Sequence, residues 1–154
     1  VDLFAKYGTD QSIEEIVTEC GLAVERVAKD NVVGKMRYFS EYYSGRNKIV
    51  LYTDSIDLWA KANEFSISDA EELILAHEFY HFLECTSLGL TSNQYRVATI
   101  KIGKWPLCLS GIQALSEIGA HGFARAYYEL KGKLGKEAIS KEAKIKRSTA
   151  ENSK

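Results

Sequence analysis

A chain of 154 residues with 45% hydrophobic content makes one domain with material for a proper core, and nothing in it suggests two. Three cysteines, Cys20, Cys85 and Cys108, without a C-x-x-C pair exclude both a disulfide framework and a thiolate zinc cluster. No apolar run nears the roughly 20 residues of a membrane span, and no signal pattern opens the sequence, so a cytoplasmic location is expected. The net charge of −1 is divided, with eight Lys/Arg against three Glu in residues 131–154 and 12 against 18 in residues 1–130. The expected organisation is an acidic domain at 1–132 and a basic polar tail at 133–154, either disordered or marginally helical, which is more often a solvated end than a nucleic-acid arm.

In chain order, Ser12-Ile13-Glu14-Glu15 reads as a capping box opening a short helix. Its stripe of Ile13, Ile16, Val17 and Cys20 ends at Gly21. Residues 22–27 alternate like a half-buried strand. After Gly34, the aromatic run 36–43 is expected to form a hairpin with the interior strand 48–52 across the turn Ser44-Gly45-Arg46-Asn47. Thr53-Asp54-Ser55 offers caps for a helical piece reaching Ala62, and Ser68-Asp69-Ala70-Glu71 is a second capping box. Behind it, Leu73, Leu75, Ala76, Phe79, Tyr80 and Leu83 wrap nearly the whole helix in apolar groups, which predicts a core helix. Residues 86–93 read as loop and 95–102 as strand or helix. A last helix, capped by Ser110, runs through Leu115, Ile118, Phe123, Tyr127 and Leu130 to a stop near Gly132.

The core helix carries His77-Glu78-Phe79-Tyr80-His81, the H-E-x-x-H pattern. At 3.6 residues per turn the two imidazoles share a face and can reach one metal, while Glu78 stands beside them to take a proton from a water that the metal activates. Unpaired, these groups would cost several kcal/mol in a buried helix; a shared metal satisfies all three, against the alternative of two hydrogen-bonded core histidines.

A catalytic zinc site takes three protein ligands. Glu84 is too far along the helix to be the third, lying roughly 10.5 Å beyond the level of His77. Glu117 is the better candidate, because Gly119, Ala120 and Gly122 let its helix approach closely. His121, one turn on, is expected to hydrogen-bond a ligand or steady the oxyanion of the tetrahedral intermediate; the lesser alternative makes it the ligand and Glu117 its support.

With these residues in place, the chain over residues 12–130 resembles the ImmA/IrrE family of zinc metallopeptidases, among the gluzincin-like zincins. The resemblance lies in the order of parts: a short helix, Gly21-Leu22-Ala23-Val24, a hairpin ending in Ile49-Val50-Leu51, the H-E-x-x-H helix, and Glu117-Ile118-Gly119-Ala120-His121-Gly122-Phe123-Ala124 matching E-x-x-A-N-x-F-A. His121 stands where that pattern has asparagine. The resemblance implies an α+β, zincin-like domain, with a short mixed or antiparallel sheet packed on the H-E-x-x-H helix and a second ligand-bearing helix. It further implies Zn2+ held by His77, His81 and Glu117, Glu78 as general base, and an intracellular protein substrate such as a helix-turn-helix repressor.

The reading that follows is zinc-dependent peptide hydrolysis with the substrate extended along an edge strand, 36–43 being the first candidate. Its rival is a catalytically silent zincin-fold module, with a structural metal or a closed cleft, acting on a protein or nucleic acid through its tail. A closed site would need a fourth ligand, Cys85 or Cys108, although both are expected to be ordinary buried cysteines. No membrane partner is expected, nucleic acid is the lesser expectation, and the sequence sets no oligomeric state.

Overall fold

The computed structural model describes the backbone of residues 6–7, 11–102 and 105–151, and the side chains of 6–7, 11–95 and 111–132. The architecture is α+β, a small mixed sheet packed against helices. Helix α1 (Ile13–Glu19) begins at the expected capping box, with Ser12 Oγ accepting from the Glu15 amide and the Glu15 carboxylate accepting from the Ser12 amide. It delivers the chain into β1 (Ala23–Val27), which pairs in parallel with β5 (Lys48–Tyr52). On its other side β5 pairs antiparallel with β4 (Ser40–Tyr43), giving the order β1-β5-β4 with β4 on an edge. Flanked on both sides, β5 buries Ile49, Val50, Leu51 and Tyr52, which explains its unbroken apolar run.

The aromatic run 36–43 is not one strand. Its first part, β3 (Met36–Tyr38), pairs back onto β2 (Asn31–Val33), and only Ser40–Tyr43 joins the main sheet. Two local features make the split. Gly34, at φ +63°, takes the first central position of a two-residue turn that suits a hairpin. Phe39 then turns its ring against Trp59, with centroids 6.0 Å apart, while its carbonyl accepts from the Tyr52 amide.

Helix α2 (Thr53–Ala62) is preceded by Tyr52 without any side-chain cap, so the Thr53-Asp54-Ser55 cluster does not cap it. Ser55 instead accepts from the amide of Asn31 and donates to Asp30. Helix α3 (Ile67–Leu83) is capped two residues earlier than expected, by Ser66, whose Oγ accepts from the Asp69 amide at 3.0 Å. Its Ala70, Leu75, Ala76, Phe79 and Leu83 enter the core beside Ile13, Ile16, Ile49, Leu51 and Ile56. A single π-helical turn, Glu84–Leu88, continues it.

The ambiguous stretch is strand: β6 (Arg96–Ile102) and β7 (Trp105–Gly111) form an antiparallel pair. Ser110 therefore lies in β7 rather than at a helix start, and α4 begins at Gln113. It runs to Glu151, past Gly132. A single glycine costs only about 1 kcal/mol in a helix, and the Ala, Lys and Glu that follow are good helix formers. Ala120, Ala124 and Tyr127 bury one face of α4, whereas Ile118 and Leu130, read as part of its apolar stripe, are exposed. Among the described residues no helix is long and apolar enough to cross a membrane.

Candidate metal centre

Helix α3 divides its circumference between two tasks. Phe79 and Ala76 are fully buried in the core; His77 and His81, one turn apart, are only partly buried and face α4. Their Nε2 atoms stand 3.2 Å apart. From α4, Glu117 brings Oε2 to 3.4 Å from His77 Nε2 and Oε1 to 3.6 Å from His81 Nε2. Ligand atoms about 2.1 Å from a tetrahedral centre lie roughly 3.4 Å apart, so the three separations bracket that spacing. The Glu117 side chain is 60% exposed, which leaves the triangle open to solvent on that side.

The donor set also fits a cation. The Nδ1 of His81 faces Glu84 Oε2 at 3.2 Å, and a carboxylate there favours the proton on Nδ1, leaving Nε2 as a bare lone pair. In that tautomer Nε2 faces a carboxylate and a second imidazole, an acceptor-rich meeting point that a divalent ion would balance. Burial, reinforced by the charges of His81 and His121, lowers the pKa of His77 to about 4. His77 is accordingly neutral near pH 7, the form that ligates.

Glu78 follows His77 directly and is itself buried. Ser40 Oγ, on the edge strand β4, donates to its Oε1 at 2.6 Å. Burial raises the pKa of Glu78 despite that hydrogen bond, making it a stronger base than an exposed glutamate. Ser40 is a site residue that sequence reading missed. Its one signal is a small hydroxyl inside the aromatic run Tyr38-Phe39-Ser40-Glu41-Tyr42-Tyr43.

His121 lies beside the triangle rather than in it. Its ring packs on that of His77, centroids 4.7 Å apart and tilted by 59°, whereas the group whose ligand atoms converge is His77, His81 and Glu117. No cysteine joins that group among the described residues. Cys85, expected to be buried, is exposed and lies in the π turn that starts at Glu84. Cys108 lies outside the residues whose side chains are described.

The approach of α4 to α3 rests on Gly119, where a Cβ would come within 2.7 Å of Tyr80 Cζ. Gly122, also read as a contact glycine, meets nothing within 4 Å. Tyr80 cannot yield freely, since its hydroxyl is bonded to Thr91 Oγ1 at 2.8 Å. Gly119→Ala is expected to cost about 1–3 kcal/mol of stability, the usual effect of overpacking, and Gly122→Ala to cost nothing or to stabilise. Equal unfolding midpoints for Gly119→Ala and the parent in a denaturant titration would contradict the close approach.

No protein-family model, curated protein or solved structure matches the chain.

Proposed function

We propose that this protein is a zinc metallopeptidase of the ImmA/IrrE kind, hydrolysing peptide bonds of a protein substrate. The observation that carries the reading is the convergence of His77, His81 and Glu117 at tetrahedral spacing. Beside them stands a buried glutamate of raised pKa. When bound there, zinc would polarise the scissile carbonyl and lower the pKa of water to about 7.

The chain's own residues supply the rest. Glu78 takes the proton of the attacking water and passes it to the leaving amine. Ser40 holds one oxygen of Glu78, so the other is left for the reacting groups. His121, exposed next to His77, is available to a developing oxyanion or to the substrate. Since β4 is an edge strand and itself carries Ser40, an extended peptide pairing along it would pass beside the base. The resemblance makes an intracellular repressor the first substrate to try.

Metal analysis and digestion test the reading together. The expected result is one zinc per chain and cleavage of an unfolded protein such as casein, lost on chelation and restored by stoichiometric zinc. A protein that binds no zinc at neutral pH overturns the metal centre. A fully loaded protein that leaves casein and a broad peptide library intact overturns the peptidase.

A further inference from the structure

We propose that Glu84 is a positioning residue that fixes the tautomer of His81 and thereby sets the affinity of the centre for its metal. Its carboxylate is among the most enclosed polar groups of the described residues, with 1% of the side chain exposed. Each oxygen is engaged. Oε1 accepts from the Thr91 amide at 2.9 Å, and Oε2 accepts from Ser116 Oγ and faces His81 Nδ1 at 3.2 Å. Ser116 Oγ is also 3.2 Å from His81 Nδ1. The arrangement depends on the end of α3: Glu84 follows His81 by three residues, and the π turn that starts with it brings Thr91 back to cap the carboxylate.

The enclosed Glu84 carboxylate offers Nδ1 an acceptor at 3.2 Å, so the ring proton sits on Nδ1 and Nε2 is left to ligate. Ser116 precedes Glu117 in α4. The same carboxylate therefore fastens the helix of the third ligand to the helix of the first two.

Glu84→Gln is the informative change because it preserves shape while adding a donor. The Thr91 amide needs an acceptor, so the carbonyl oxygen of the substituted side chain takes that side and its amide nitrogen meets His81 Nδ1. A ring facing that donor is expected to accept at Nδ1 and carry its proton on Nε2, the nitrogen that faces His77 and Glu117. The effect on metal rests on the zinc reading; the effect on the ring does not.

The experiment pairs long-range proton–nitrogen NMR of the metal-free protein with a zinc competition titration. The parent is expected to show His81 as the Nδ1–H tautomer. Glu84→Gln should show Nε2–H at His81, and zinc affinity lower by about 10- to 100-fold. Ser116→Ala, which keeps the carboxylate, should retain Nδ1–H. An Nε2–H tautomer at His81 in the parent overturns the proposal, even if Glu84→Gln fails to fold. So does a folded Glu84→Gln variant that keeps the parental tautomer, whatever its zinc affinity. A parent that takes up no zinc sinks the metallopeptidase reading separately, and the ring tautomers still decide whether Glu84 governs His81.

Discussion

Replacing Glu78 by Gln is expected to lower peptide hydrolysis by about 10²- to 10⁴-fold, the usual contribution of a positioned general base, while zinc content stays at the parental level. The substitution separates chemistry from structure. Glutamine has the shape of glutamate, and its carbonyl oxygen can still accept from Ser40, the bond that fixes Glu78 at 2.6 Å. Nothing in the ligand triangle changes, because His77, His81 and Glu117 converge without Glu78. The change also removes a buried carboxyl whose pKa burial has raised, so stability should hold or improve. What disappears is the capacity to accept a proton. A variant that cleaves at the parental rate, with zinc in place, would show that Glu78 is not the base. A variant that loses zinc along with activity would place Glu78 among the ligands instead.

How much of this site can be read from the sequence depends on the range of each interaction. His77 and His81 are legible because a spacing of four on a helix fixes their proximity whatever the rest of the chain does. Glu117 is legible at one remove, through a glycine two residues on that meets Tyr80. Ser40 is not legible, since its partner Glu78 is 38 residues away on another element. Glu84 shows the limit most clearly. Helix geometry keeps it out of the group formed by His77, His81 and Glu117, yet its contact is with the other nitrogen of His81, and only a folded chain shows which nitrogen faces which way.

The same distinction explains the fold. The capping box at Ser12 is local and is found where it is expected. The run 36–43 holds two competing pairings, with β2 across a two-residue turn and with β5 across a longer one, and the chain uses both. Residues 95–102 leave strand and helix equally open to periodicity. Their strand state depends on the register between β6 and β7, which no short window contains.

Glu117→Ala and His121→Ala are expected to separate the two carboxylate-and-imidazole assignments on α4. Removing Glu117 should lower zinc affinity by more than about 100-fold, beyond the range of outer hydrogen-bonding partners, with the loss of turnover following the loss of metal. Removing His121 should leave one zinc per chain and reduce turnover at saturating zinc. The geometry motivates the contrast: Glu117 oxygens stand 3.4 and 3.6 Å from the two Nε2 atoms, whereas His121 lays its ring against that of His77. Both side chains are exposed, so neither truncation opens a cavity, and stability should move by no more than about 0.5 kcal/mol. A change in zinc binding then reports on ligation and not on folding. Should His121→Ala lose zinc while Glu117→Ala keeps it, the imidazole is the third ligand and the carboxylate its support. The sphere would then be three histidines, with Glu117 free to take part in proton transfer beside Glu78.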